Sequence, residues 1–189
     1  MTRVVYYTAS TLDGFLADPD DSLDWLMRQD LDEHGPQNYG EFIATIGALV
    51  MGSTTYEWVL ANIKRNGEPW YYPQPTWVMT SRTLGTPEGA DVRFAQGEIT
   101  TVLDELRAAA DGKDVWVVGG GDLAGQVADA GQLDEVIVSV APVVLGAGRP
   151  LLPRRMDLRL VETAPNGAFV TARYEVLGAL KEDRPNLDG

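Results

Sequence analysis

The 189-residue sequence contains no cysteine and a single histidine, His34. The lack of cysteine excludes disulfides and thiolate metal sites, and one histidine excludes a site with several histidine ligands. We therefore expect no metal site. A serine nucleophile activated by histidine would depend on His34, which we predict to be a surface residue.

Basic residues are scarce as well. Fifteen Lys and Arg stand against 28 Asp and Glu, which gives a formal net charge of −13. Nucleic acids and anionic membranes attract proteins through clustered Lys and Arg, so we expect neither as a partner. A small substrate or cofactor that carries phosphate stays possible, because backbone N–H groups can hold phosphate without any excess of basic residues.

Long apolar runs are missing too. No run approaches the roughly 20 residues that a membrane-spanning helix needs. The start, Met1-Thr2-Arg3, leads directly into a strand-like run and shows no signal-peptide pattern. We expect a soluble cytoplasmic protein.

Strand-like and helical patterns alternate as far as residue 141, which is typical of a mainly parallel sheet. We predict strands over residues 4–9, 48–51, 76–80, 91–95, 114–118 and 135–141. We predict helices over residues 37–46 and 101–110, a short one that ends near residue 61, and one that opens at the glycines 119–121 and ends at residue 131.

The last part of the chain indicates an antiparallel hairpin. Asn166-Gly167 separates two strand-like runs, over 158–164 and 168–177, and Asn-Gly is a strong hairpin signal. In the second run the alternation of Val170, Ala172, Tyr174 and Val176 with polar residues, the first of them Thr171, predicts one solvated face. We expect a single α/β domain over residues 1–180 and a flexible tail over 181–189.

Three glycines, Gly119-Gly120-Gly121, join a buried strand to a helix. Glycine lets a ligand approach the backbone, and the helix N-terminus offers unpaired N–H groups, so this turn is suited to a pyrophosphate. The spacing matches G-x-G-x-x-A. A Rossmann domain is nevertheless disfavoured, because the turn comes late in the chain and no acid follows at the next strand end. The alternative is a tight turn that holds no ligand.

Two further strands end in residues that can bind phosphate. Gly52-Ser53-Thr54-Thr55 repeats the strand–glycine–helix arrangement, although its hydroxyls could simply cap the helix. Thr80-Ser81-Arg82 offers two hydroxyls and a guanidinium to a phosphate monoester such as the 2′-phosphate of NADPH. The alternative for Arg82 is a surface arginine after a strand.

In this order the motifs resemble the dihydrofolate reductase superfamily, especially its branch similar to the reductase domain of riboflavin biosynthesis. The resemblance covers about residues 4–177. Besides the three stretches above, it rests on Thr8-Ala9-Ser10-Thr11-Leu12-Asp13-Gly14-Phe15-Leu16-Ala17 and on Pro142-Val143-Val144-Leu145-Gly146-Ala147-Gly148-Arg149-Pro150-Leu151. It implies a dihydrofolate-reductase-like three-layer fold, with a mainly parallel mixed sheet of about eight strands and a C-terminal antiparallel hairpin.

The resemblance also implies NADPH as the cofactor and assigns residues to it. Ser81 and Arg82, with Thr80, would lie near the 2′-phosphate, and family members often have a cis peptide bond at the position of Gly119-Gly120. The diphosphate would be held by Gly52, Ser53, Thr54, Thr55, Gly119, Gly120, Gly121, Asp122 and Leu123, and the nicotinamide would be flanked by Ala9, Leu16 and Ala17.

The catalytic side is less well defined. Asp24 is the nearest candidate for the acid that dihydrofolate reductases carry on their first helix, and Asp13 resembles an acid of the riboflavin-type reductases. Their alternatives are a solvated acid in the first turn of a helix and a plain Asp-Gly turn. Trp25 and the loop Trp70-Tyr71-Tyr72 are candidates for the substrate side. Ser53 stands where many dihydrofolate reductases have a basic residue.

The sequence thus predicts an NADPH-dependent reductase that transfers a hydride to a small heterocyclic substrate. One alternative is a pyrimidine reductase of the riboflavin type, acting on a 5-amino-6-(5-phosphoribosylamino)uracil-like substrate whose phosphate would need Lys64, Arg65 or Arg149. The other is a nucleotide-binding protein without catalysis. By resemblance, we expect a homodimer.

Overall fold

The computed structural model describes residues 2–181. A mixed sheet of eight strands lies at its centre. The strands of this sheet are β1 (Val4–Thr11), β3 (Ile46–Gly52), β4 (Thr76–Met79), β5 (Val92–Ala95), β6 (Asp114–Gly119), β7 (Glu135–Ala141), β9 (Met156–Asn166) and β10 (Phe169–Ala179). Two short strands, β2 (Phe15–Ala17) and β8 (Arg149–Pro150), pair with each other as a separate antiparallel ribbon.

The strand order in the sheet is β5-β4-β3-β6-β1-β7-β10-β9. The first six strands are parallel to one another, and β10 and β9 continue the sheet as an antiparallel hairpin. Because the first six are parallel, their carboxyl ends meet at one edge of the sheet, which is where ligands bind in open α/β sheets.

Helices cover both faces of this sheet. They are α1 (Asp24–Met27), α2 (Tyr39–Ala44), α3 (Ser53–Asn66), α4 (Leu103–Ala109) and α5 (Gly121–Asp129), with a short 3₁₀ helix at Ile99–Thr101. Within residues 2–181, none of these helices combines the length and the apolar character needed to cross a membrane.

The two larger apolar clusters of the core lie on opposite faces of the sheet. Val50 of β3 packs on the side of α4 and α5, and its neighbour Leu49 packs on the side of α3. Successive side chains of a strand point to opposite faces, so a strand buried on both faces needs the continuous apolar run seen in β3. This is the three-layer α/β arrangement that the sequence predicts.

The predicted helices differ from the structure in their bounds: α4 is shorter than the predicted 101–110, and α5 ends at Asp129 and not at residue 131. The prediction over residues 37–46 is too long, because the Asn38 side chain accepts a hydrogen bond from the Glu41 N–H at 2.9 Å and caps a helix that ends at Ala44. Ile46 then belongs to β3. The helix predicted to end near residue 61 continues to Asn66, where Gly67 adopts a left-handed φ of 69° and ends it.

The predicted alternation in the last strand is wrong at its first residues. Val170 is 55% exposed, whereas Thr171 is fully buried. The Thr171 hydroxyl donates to the Ala164 carbonyl at 2.9 Å, so burial leaves it satisfied. The tail predicted over residues 181–189 lies, except for Lys181, outside the described residues.

Candidate active site

A cavity of about 900 Å³ opens at the carboxyl ends of the parallel strands. All cofactor residues predicted from the sequence except Arg82 line it. They are Ala9, Leu16, Ala17, Gly52, Ser53, Thr54, Thr55, Thr80, Ser81, Gly119, Gly120, Gly121, Asp122 and Leu123. Leu16 and Ala17 belong to β2, and the others lie at or just after the ends of β4, β3, β6 and β1, which are consecutive neighbours in the sheet and form one continuous wall.

The first phosphate-type turn joins β3 to α3. The strand ends at Gly52, and the helix begins at Ser53 with no side chain capping its first N–H groups. Those N–H groups carry the partial positive charge of a 14-residue helix. The hydroxyl-bearing residues of the first turn line the cavity beside them. This end of α3 can therefore accept an anion.

The second turn joins β6 to α5 and lies directly beside the first. No side chain caps the start of α5 either, and the peptide bond between Gly119 and Gly120 is cis, as the resemblance implies. The Thr55 hydroxyl lies 3.0 Å from the place where a methyl group on Gly119 would sit. Two uncapped helix N-termini therefore face one cavity from adjacent strands.

The third strand end is only partly at the cavity. Thr80 and Ser81 line it, but Arg82 does not. The Arg82 guanidinium instead donates two hydrogen bonds, of 2.7 and 3.0 Å, to the exposed carboxylate of Glu57. Contact between Arg82 and a cofactor phosphate would require this ion pair to open.

Apolar side chains form the other end of the cavity. Ala9, Leu16 and Ala17 lie there together with Leu23 and Leu26, which sequence reasoning missed. The proposed substrate residue Trp25 does not line the cavity. It is 4% exposed and packs beneath, against Ala141 and Phe169. The loop over residues 70–72 also lies elsewhere, and Trp58 of α3 provides the aromatic lining instead.

The structure brings neither predicted catalytic acid to the cavity. Asp13 accepts hydrogen bonds from the Thr11 hydroxyl at 2.6 Å and from the Gly146 N–H at 2.7 Å, so it joins the β1–β2 turn to the loop after β7. The Thr11 bond is the main reason that the pKa of Asp13 is lowered. Asp24 is exposed, and it is not among the residues that line the cavity. A catalytic role for either residue stays a prediction.

The acid that does reach the apolar end is Asp21. It belongs to a turn in which the Asp18 side chain accepts hydrogen bonds from the N–H groups of Asp20 and Ser22, at 2.9 and 2.8 Å. Asp21 has a positive φ of 62°, which aspartate tolerates better than most residues. Only this local turn chemistry could have indicated from the sequence that Asp21, and not one of its acidic neighbours, reaches the cavity.

Asp21 forms an ion pair with Arg149 across the mouth of the cavity, and both line it. The two contacts are 2.6 and 3.0 Å long, the paired geometry that makes such bonds strong. The Arg149 guanidinium lowers the pKa of Asp21 below its ordinary value. At neutral pH Asp21 is therefore a carboxylate and not a proton donor.

The second acid at the cavity, Asp122, is also paired. It accepts hydrogen bonds from Gln126 at 2.9 Å and from Arg154 at 3.0 Å, and both lower its pKa. Within the described part of the chain, Asp21, Asp122 and Arg149 are the charged residues of the lining. The cavity therefore offers an anionic ligand backbone N–H groups and hydroxyls, and little free positive charge.

Some missed lining residues did have a signal in the sequence. Gln96 and Gly97 follow β5, which is one more parallel strand ending at the same edge. Trp58 lies one helical turn beyond Thr54, on the same face of α3. Of the basic residues considered for a substrate phosphate, Arg149 lines the cavity, whereas Lys64 and Arg65 lie in the last turn of α3. His34 is exposed, as expected.

Comparison with solved structures identifies the class of protein. A protein of riboflavin biosynthesis from Shewanella sp. PV-4 superimposes with a TM-score of 0.77 at 22% identity, over 93% of this chain and 99% of that chain. The dihydrofolate reductase from Enterococcus faecalis, complexed with NADP(H) and RAB-propyl, gives a TM-score of 0.62 at 16% identity, over 93% and 96% of the two chains. The fold is dihydrofolate-reductase-like.

Within this class, the chain belongs to the RibD C-terminal domain family, whose model matches residues 2–168. Protein YwjB of Bacillus subtilis (strain 168) is 29% identical over 181 residues, which span 91% of this chain and 97% of YwjB. Protein YyaP of the same strain is 28% identical over 173 residues, or 85% of this chain and 87% of YyaP. The resemblance stated from the motifs is confirmed.

We predict that Gly121→Ala destabilises the protein. A methyl group on Gly121 would lie 2.3 and 2.4 Å from the carbonyl oxygens of Pro150 and Leu151, in backbone that cannot easily yield. We expect a loss of about 1–3 kcal/mol in the free energy of unfolding, measured by urea denaturation. Gly85→Ala is the matched control, because a methyl group there meets no atom within 4 Å. Equal stability of the two variants would contradict the tight contact at Gly121.

Proposed function

We propose that the protein is an NADPH-dependent reductase of the riboflavin-pathway type, which transfers a hydride to a small heterocyclic substrate. The observation that carries the proposal is the cavity itself. It joins two uncapped helix N-termini to an apolar end in one space, whose volume of about 900 Å³ lies within the range of ligand pockets. The family and the fold support the same function.

The residues present fit a dinucleotide. A methyl group built on Gly120 would meet no protein atom within 4 Å, so the space beside this turn is free for a ligand. The N-termini of α3 and α5 would hold the diphosphate, with the hydroxyls of Ser53, Thr54 and Thr55 as further donors. When bound, the cofactor supplies the hydride.

Binding of NADPH in preference to NADH would depend on the third strand end. Thr80 and Ser81 offer hydroxyls at the cavity, and Arg82 follows them. Arg82 would exchange the Glu57 carboxylate for the 2′-phosphate. The exchange is feasible because both side chains are about half exposed and an exposed ion pair contributes little stability.

At the substrate end, the protein positions and shields the reactants. Ala9, Leu16 and Ala17 would flank the nicotinamide, and Leu23 and Leu26 make this end apolar, which limits water near the reacting atoms. The ionised carboxylate of Asp21 would accept hydrogen bonds from the N–H groups of a heterocycle. Because Asp21 keeps its negative charge at neutral pH, it does not donate the proton that completes the reduction.

A pyrimidine reductase acting on a ribose phosphate is the second candidate. One structural neighbour is a pyrimidine reductase-like protein from Corynebacterium diphtheriae, with a TM-score of 0.65 at 14% identity. For such a substrate Arg149 is the available cation at the cavity in the described part of the chain, and the phosphate would have to displace Asp21 from it. A nucleotide-binding protein without turnover is the third. The homodimer and the cytoplasmic location stay predictions.

The first prediction from this proposal concerns the diphosphate. Thr54→Asp places a negative charge at the second residue of α3, where it would repel a bound diphosphate while favouring the helix dipole. We expect the Kd for NADPH, measured by calorimetry, to rise by about tenfold or more, a loss of about 1.4 kcal/mol. We expect no fall in the melting temperature. Thr54→Asn is the neutral control, and equal affinity of the two variants would exclude a diphosphate at α3.

The second prediction concerns the choice of cofactor. Glu57→Gln releases Arg82, so NADPH should bind a few times more tightly while NADH binding stays unchanged, since an exposed pair is worth about 0.2–1 kcal/mol. Arg82→Ala should weaken NADPH binding much more than NADH binding. Parallel calorimetric titrations of both nucleotides test this, and equal changes for both would remove Arg82 from the 2′-phosphate site.

The third prediction separates the substrate classes. With a ribose phosphate, Arg149→Gln should lower kcat/KM by about 100-fold, because a charge-assisted pair worth about 3 kcal/mol is lost. With an unphosphorylated heterocycle such as dihydrofolate, the loss should stay within a few-fold. NADPH oxidation is followed at 340 nm with each substrate. Turnover of neither, together with tight NADPH binding, would favour the protein without catalysis.

A further inference from the structure

A second hollow lies apart from the candidate active site. It has a volume of about 460 Å³ and is lined by Tyr39, Glu68, Pro69, Tyr71 and Tyr72. None of these residues lines the larger cavity. The proposed reductase function therefore leaves this hollow unexplained.

Three tyrosine rings form the hollow, one deep and two at the rim. Tyr72 is 7% exposed, whereas Tyr39 and Tyr71 are 42% and 40% exposed. The Tyr71 and Tyr72 rings meet edge to face, with their centroids 4.7 Å apart. Behind them, the Trp116 ring lies 5.8 Å from that of Tyr72 and 6.0 Å from that of Tyr39. The tyrosine rings of the hollow thus pack against the core of the protein.

The charge at this hollow is negative. Glu68 is the charged member of the lining, and within residues 2–181 its carboxylate forms no ion pair. After burial, the negative charge of Glu68 is a further cause of the raised pKa of Tyr71. Burial likewise raises the pKa of Tyr39 to about 12. The phenols of Tyr39 and Tyr71 are therefore neutral at physiological pH.

We propose that this hollow binds a small organic cation, of the quaternary ammonium class. The electron-rich faces of tyrosine rings attract a cation, and an unpaired carboxylate adds to that attraction. A quaternary ammonium group carries no N–H, so it needs no hydrogen-bond acceptors and its methyl groups can pack against the rings. The net charge of −13 favours the approach of cations in general.

Choline and its uncharged isostere 3,3-dimethylbutan-1-ol provide the test, because they share a shape and differ in charge. Binding to the full chain is measured by saturation-transfer NMR on the methyl signals. We expect saturable choline binding in the millimolar range, and at least a fivefold weaker affinity for the isostere, which corresponds to about 1 kcal/mol of cation–aromatic attraction. Absence of saturable choline binding, or equal affinity for both compounds, would overturn the proposal.

Variants locate the binding. Glu68→Gln and Tyr71→Leu should each weaken choline binding at least threefold, whereas Tyr71→Phe, which keeps the ring, should retain it. Glu88→Gln removes an exposed carboxylate elsewhere in the chain and is the matched control for charge. Tyr71 is partly exposed, so the folded state should survive, and near-UV circular dichroism verifies it. If Glu68→Gln and Glu88→Gln bind choline equally well, the site is not this hollow.

Discussion

The candidate active site depends on unpaired backbone N–H groups at the starts of two helices. Both α3 and α5 begin directly after a parallel strand, at a glycine, and no side chain caps either of them. Because β3 and β6 are neighbours in the sheet, the two N-termini lie side by side. A protein with a net charge of −13 can thereby present a local positive potential without any lysine or arginine at the turn.

This arrangement requires backbone segments to approach one another closely. The ribbon of β2 and β8 lines part of the cavity, and two glycines allow its close approach. A methyl group on Gly148 would lie 2.0 Å from the Ala17 carbonyl oxygen, and one on Gly121 would collide with the carbonyls of Pro150 and Leu151. The glycines around the cavity therefore serve different purposes. Gly120 leaves space for a ligand, whereas Gly121 and Gly148 leave space for the protein itself.

The sequence predicted most of the fold and one end of the site, for a physical reason. Buried parallel strands must be apolar on both faces, and their ends all lie on one edge, so a pattern along the chain gives positions in space. For this reason Gly52, Thr80 and Gly119, which are far apart in the sequence, line one cavity as predicted. The error in the hairpin lies at Val170 and Thr171, where a buried threonine hydroxyl is satisfied by the Ala164 carbonyl, so polarity does not indicate the exposed face.

The acids could not be predicted in the same way, because Asp13 and Asp21 lie in turns and Asp24 begins a helix of only four residues. Asp13, Asp21 and Asp24 are close in sequence, yet only Asp21 reaches the cavity. Asp21 reaches the cavity because of the turn that the Asp18 side chain stabilises and because of its ion pair with Arg149. Arg149 belongs to β8 and is 128 residues away in the sequence. Such a long-range partner decides both the position of a carboxylate and its charge. The same pairing leaves the cavity nearly neutral. A ligand held there therefore gains more from directed N–H groups than from net charge. A substrate that bears a phosphate must first compete with Asp21 for Arg149.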